Sequence, residues 1–182
     1  LAFRGKRRCL IFTIICMKVF CYGSNMSSKR LRARCPGADF VSVGFTCGYR
    51  LAFNKRSSDG SGKANLIYTG NSSDRVWGVV FEIPEKEKAA LDNAEGNGHG
   101  YKEQSLTVSS QTGGVLQCTS YIATDTTYLD NGLISYDWYN EHCVRGAEEH
   151  GLPDTYVQTL KAVAARVDEN SQRAKTERSI YK

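Results

Sequence analysis

Glu95 has the strongest claim to chemistry in this sequence. It ends the run Leu91-Asp92-Asn93-Ala94-Glu95-Gly96, which sets a carboxylate at the close of a helix and ahead of a glycine-rich loop. There the charge meets the negative end of the helix dipole, unfavourable by about 0.3–1 kcal/mol when exposed. A residue that breaks a local rule is a candidate for function; the plainer reading is a solvent-exposed loop glutamate. The other reactive side chains form weaker sets. His99, His142 and His150 lack metal-ligand spacing, and the last two read as surface residues of one helix. Ser24 follows a strand, as a nucleophile does, but without Gly-x-Ser-x-Gly around it. Cys21 beside the same turn reads as a buried strand residue before it reads as a nucleophile. Tyr139 lies on an apolar helix face, a core position whose hydroxyl can also reach a pocket. No dinucleotide fingerprint or P-loop is present, and the reading calls for no metal and no cofactor.

These residues need elements to hold them. Val19-Phe20-Cys21-Tyr22 is a short apolar run of strand type that stops at Gly23-Ser24-Asn25. A glycine at such a junction can take positive φ, so that successive N–H groups point one way and suit an anion or oxyanion. Ser27–Arg34 reads as a short helix capped by Asn25 or Ser27. Its Lys29, Arg30, Arg32 and Arg34 form a solvated face, or alternatively attract an anionic small substrate. Ala38–Phe53 reads as a long strand or two strands joined near Gly44 or Gly48, and Asn54–Lys63 as a mobile polar loop. Ala64–Thr69 and Val76–Ile83 are further strands. Pro84–Ala94 turns helical, and Leu106–Ser109 and Leu116–Ile122 flank a hairpin turn at Gln111-Thr112-Gly113-Gly114. A helix from Ser135 to His150 places Tyr139, Cys143 and Ala147 on one face. Pro153 opens another helix, and Asp168–Lys182 reads as a frayed or disordered tail. Strands first and helices mostly late give an α+β fold, with a curled or closed sheet and helices outside it.

Length and charge bound the rest. The 182 residues, 41% hydrophobic and 24% charged, suit one globular domain. Of the net +5, Arg4, Lys6, Arg7 and Arg8 carry +4, and the remaining 20 basic and 19 acidic residues leave +1. A nearly neutral body argues against nucleic acid as a partner. Residues 1–16 combine basic and short apolar stretches and, with Met17-Lys18-Val19 looking like a start, are read as a leader or upstream extension; the alternative, a membrane anchor, is disfavoured because Leu10–Ile15 is far too short to span. The domain then runs from 17 to 166, with 167–182 as a polar tail. Seven cysteines, Cys9, Cys16, Cys21, Cys35, Cys47, Cys118 and Cys143, form no CxxC pair, and the simpler reading is a reducing cytoplasm.

The ordered set of motifs resembles the γ-glutamylcyclotransferase family. It comprises Phe20-Cys21-Tyr22-Gly23-Ser24-Asn25, Tyr49-Arg50-Leu51-Ala52-Phe53, Gly62-Lys63-Ala64-Asn65, Val76-Trp77-Gly78-Val79-Val80-Phe81, Leu91–Gly96, Tyr101 and Gly146–Pro153. The likeness covers Met17 to about Leu160. It implies a small closed mixed β-barrel with flanking helices, and cofactor-free release of 5-oxoproline from a γ-glutamyl compound. It also implies a pocket of Val19, Phe20, Cys21, Tyr22, Gly23, Ser24 and Tyr139, with Glu95 as acid and base. Gly96-Asn97-Gly98-His99-Gly100 is richer in glycine than the family pattern, and Cys21 replaces its usual alanine.

The implied chemistry is intramolecular: the substrate's α-amine attacks its own γ-carbonyl, so the reactants arrive tethered. A carboxylate near pKa 4.3 is about 4 units too weak for an amine near 8, a gap that a desolvated pocket narrows. Alternatives are a cyclotransferase for γ-glutamylamines or larger conjugates, and a non-catalytic γ-glutamyl or carboxylate-binding module. The partner expected is a small γ-glutamyl molecule; oligomeric state is not legible.

Overall fold

A computed structural model describes residues 15–98 and 100–182. The leader read at residues 1–16 thus lies, up to residue 14, outside the described residues, as do Cys9 and His99. The first strand, β1 (Cys16–Cys21), already begins at Cys16.

Five strands close into a barrel in the order β1, β5 (Arg75–Pro84), β2 (Asp39–Cys47), β6 (Lys102–Ser110), β7 (Val115–Ile122). All neighbours are antiparallel except β1 and β7, which meet in parallel at Val19 and Thr119. The barrel is therefore mixed and closed, as the motif set implies. Strand β5 lies between β1 and β2, and its Val76, Val79, Val80, Phe81 and Ile83 have no exposed surface. A strand covered on both faces needs such a near-continuous apolar run. Each of these side chains stabilises the fold by roughly 1.5–3 kcal/mol through burial.

Outside the barrel, β3 (Tyr49–Arg56) and β4 (Gly62–Tyr68) form a separate hairpin. Half of the mobile loop expected over Asn54–Lys63 is strand. Only residues 57–61 turn, and Asp59 pins that turn by accepting from Ser61 N at 2.9 Å and Lys63 Nζ at 3.0 Å. Helices α1 (Ser28–Arg32), α2 (Lys88–Glu95), α3 (Asp137–Glu149) and α4 (Asp154–Lys161) surround the sheet. Two-residue strands β8 (Ser135–Tyr136) and β9 (Ala165–Arg166) pair in parallel beside α3.

The polar tail is ordered, contrary to expectation. It forms α5 (Ser171–Arg178) and a 3₁₀ turn at Ser179–Tyr181. Asp168 is buried; it accepts from Trp138 Nε1 at 2.8 Å and from two Arg173 nitrogens at 2.6 Å. Specific ion pairs order this segment where its apolar content does not. Among the described residues, no helix is long and apolar enough to cross a membrane.

Candidate active site

Strand β1 delivers Val19, Phe20, Cys21 and Tyr22, all buried, to the mouth of the barrel. The chain then turns through a 3₁₀ segment at Ser24–Met26, with Met26 N donating to Gly23 O at 3.0 Å. Gly23 does not take positive φ as expected; it sits at φ −122°, ψ −142°. Its glycine is a matter of space, because a Cβ there would lie 2.9 Å from Ala64 Cβ and 3.2 Å from the Tyr139 hydroxyl. The N–H groups of Ser24 and Asn25 open the turn and find no partner within it. Helix α3 crosses the same turn at Gly146, where a Cβ would lie 2.3 Å from Ser27 N. That close crossing sets Tyr139, two helical turns earlier, against Ala64, whose N–H donates to the Tyr139 oxygen at 3.1 Å.

Glu95 approaches from the opposite side at the last position of α2, ahead of Gly96 in the left-handed C-cap. Its Oε1 accepts from Asn25 Nδ2 at 2.6 Å and from an Arg34 guanidinium nitrogen at 2.9 Å. The same Arg34 nitrogen donates to Asn25 Oδ1 at 2.7 Å, closing a triangle. Its Oε2 takes no hydrogen bond from the described residues. Helix α2 is held to the barrel by Tyr121, which donates to Asp92 at 2.6 Å.

Val19, Phe20, Cys21, Tyr22, Gly23, Ser24, Glu95 and Tyr139 line one cavity of about 40 Å³. The structure thus brings every site residue read from the sequence to one place. Ser24, Glu95, Tyr101 and Tyr139 also face an outer vestibule of about 430 Å³. Burial raises the hydroxyls of Tyr22, Tyr101 and Tyr139 far above their ordinary range, so all three are neutral at physiological pH. Tyr22 donates to Tyr121 O and Tyr101 to Ala64 O, whereas Tyr139 only accepts and keeps its proton to give. Burial likewise pushes the Cys21 thiol up, which makes it a poor nucleophile.

Several functional positions were read only in part from the sequence. The four basic residues of Ser27–Arg34 divide between the two readings the sequence offers: Arg30 and Arg34 turn into the vestibule, and Lys29 and Arg32 form the solvated face. Arg30 Nε donates to Ser24 Oγ at 3.2 Å. The i, i+4 spacing of Arg30 and Arg34 was the available signal. The side chain of Asn25 had none. His142 and His150 are not surface residues: His142 has no exposed surface, its Nδ1 is 2.6 Å from the Tyr181 hydroxyl, and His150 stacks on Phe40. Their burial comes from the ordered C-terminal segment and from β2, neither visible in helical spacing. Among the described residues, no group of three or more His, Cys, Asp or Glu is placed to hold a metal ion.

The AIG2-like family matches residues 75–160. A solved gamma-glutamyl cyclotransferase has a TM-score of 0.77 with this chain at 28% identity, covering 89% of this chain and 99% of that one. The closed barrel with its flanking helices is the fold of that class. Gamma-glutamylcyclotransferase of Bos taurus is 32% identical over 149 residues, 79% of this chain and 77% of that protein. The Homo sapiens protein of the same name matches at the same identity and shares. The chain belongs to the gamma-glutamylcyclotransferase family, and it is an enzyme of that family.

Proposed function

We propose that the protein cyclises the γ-glutamyl group of a small γ-glutamyl compound to 5-oxoproline, with Glu95 as general acid and base. The observation that carries this reading is the convergence of Glu95, the Val19–Ser24 segment and Tyr139 on one cavity. The neutral α-amine attacks the γ-carbonyl carbon of the same molecule, forming the ring C–N bond. The attacking nitrogen sheds a proton, which Glu95 Oε2 accepts and hands to the leaving nitrogen as the original amide C–N bond breaks. Both nitrogens belong to the substrate, so this balance needs no cofactor. Tethering removes the entropic cost of a bimolecular encounter. The N–H groups of Ser24 and Asn25 and the free Tyr139 proton supply the polar groups that charge on the carbonyl oxygen requires; such a donor is worth roughly 3 kcal/mol when well placed.

Asn25 and Arg34 act by holding Glu95. The vestibule wall sets Arg30, Arg34, Lys55, Lys63 and Arg173 against Asp59, Glu95 and Glu177, and this small cationic excess suits a small anionic substrate better than nucleic acid, which needs a broad basic face. We place the enzyme in the cytoplasm, on the free buried thiols of Cys21, Cys35, Cys118 and Cys143. The test is 5-oxoproline release across γ-glutamyl amino acids, γ-glutamylamines and glutathione. Release from at least one class is expected; tight binding without release from any would make the protein a binding module instead.

A further inference from the structure

Lys63, in the Gly62-Lys63-Ala64-Asn65 stretch, has no task in the mechanism above. It lies on β4 with 9% of its surface exposed, a rare state for a lysine. Its Nζ donates to Ser61 Oγ at 2.8 Å and to Asp59 Oδ2 at 3.0 Å. The same ammonium sits 4.4 Å from the centre of the Trp138 ring and 4.6 Å from that of Tyr139. Burial lowers the pKa of Lys63, and Asp59 works against that shift.

Stability does not account for such a group. A cation withdrawn from water gives up hydration that one carboxylate seldom restores in full, and apolar side chains of similar volume often serve as well. A methionine would pack against the same two rings. What it lacks is a charge over the Tyr139 ring. Attraction between a cation and a ring face depends on where the ring lies, so Lys63 resists tilting of the ring as well as covering it. The oxygen end of that ring is fixed by the next residue, because Ala64 N donates to it at 3.1 Å. Lys63 and Ala64 thus hold Tyr139 at two points, from one strand whose turn Asp59 pins. Two of the three ammonium donors are already taken by Asp59 and Ser61, which suits holding a ring better than meeting a ligand.

We propose that Lys63, clamped by Asp59 and Ser61, is a positioning residue: it holds the Tyr139 ring so that the hydroxyl meets the γ-carbonyl oxygen as the substrate cyclises. The assignment rests on the cyclotransferase reading above and on the proton given there to Tyr139. Lys63 itself touches no reacting atom.

The experiment measures kcat and KM for 5-oxoproline release in Lys63→Met combined with Asp59→Asn. The substrate is whichever of γ-glutamyl-alanine, γ-glutamyl-ethylamine and glutathione the unaltered protein turns over fastest. The asparagine strands no buried charge, and its Oδ1 can keep both bonds from Ser61, N at 2.9 Å and Oγ at 2.7 Å. kcat should fall about three- to thirtyfold, the range of a cation held over an aromatic face. KM should change by less than about twofold, as for an interaction made only in the transition state. Lys63→Arg alone should keep part of the lost kcat, because a guanidinium also rests on aromatic faces. Placed in Tyr139→Phe, the same pair of substitutions should cost less than about twofold, the non-additivity of groups that act together. A raised KM at unchanged kcat would make Lys63 a substrate contact. An equal loss with and without the Tyr139 hydroxyl would uncouple the two residues. Either result overturns the role of Lys63 alone, as does an unchanged kcat and KM. No 5-oxoproline from the unaltered protein overturns the cyclotransferase reading, and the assignment to Lys63 with it.

Discussion

Both hydrogen bonds on Glu95 fall on Oε1, which leaves Oε2 as the oxygen able to move a proton. A glutamine can keep its carbonyl oxygen on the Oε1 partners while losing the proton-accepting function. Glu95→Gln is therefore expected to retain its circular dichroism and melting behaviour while 5-oxoproline release falls about 10²–10⁴-fold. Retained turnover would remove the mechanism. Arg34 is different, because one of its nitrogens serves both Asn25 and Glu95. In Arg34→Met, kcat should drop about tenfold or more through loss of a charge-assisted bond. Arg34→Lys should restore only part of it, since an ammonium does not reproduce the guanidinium geometry; complete rescue by lysine would show that charge alone matters. Glu95 was legible in the sequence because its position conflicts with the helix dipole. The contacts of Asn25 and Arg34 with Glu95 were not, because that partner lies far along the chain and reaches them only through the fold.

At the scale of elements, the site depends on how closely α3 can cross the turn after β1. Gly146 sets that distance: the added methyl of Gly146→Ala would lie 2.3 Å from Ser27 N and 2.4 Å from Met26 C. Backbone cannot yield as a side-chain tip can, so the helix must move. A loss of about 1–3 kcal/mol in denaturant unfolding is expected, the usual cost of overpacking. Activity should fall in the fraction that remains folded, because α3 carries Tyr139. Unchanged kcat would separate Tyr139 from this crossing. The barrel strands were readable from alternation and from the apolar run of β5, and the hairpin turn from its glycines. Gly23 was readable as a special position but for the wrong reason. Sequence shows that a residue is glycine; only the packing of Ala64 and Tyr139 shows that space, and not a positive φ, requires it.

The whole molecule ties the site to its C-terminal segment. Glu177 on α5 faces the vestibule and contacts Arg30, while His142 on α3 lies with Nε2 3.5 Å from Glu177 Oε2. Tyr181 joins His142 to Ser27, donating to its Oγ at 3.1 Å, and Arg178 reaches Glu141 at 2.8 Å. Polar composition made this segment look disordered because composition counts apolar area, and these contacts are ionic and specific. Their nature makes them sensitive to acid. The contact with His142, followed by the Arg30 charge, holds Glu177 down to about 2 from its ordinary 4.5. A depressed carboxylate contributes stability that is fully present above its unfolded pKa and disappears as pH falls through the folded one. Burial also lowers the pKa of His142, an effect that Glu177 partly offsets, so stability is lost as pH falls below the ordinary histidine value, and more steeply in a Glu177→Gln variant. The comparison that isolates Glu177 is the difference in Tm between the two proteins. At pH 6 the unaltered protein should melt higher, and the gap should close between about pH 4.5 and about pH 2. A gap that stays constant across that window would mean that Glu177 is not what fastens the C-terminal helix to the wall of the site.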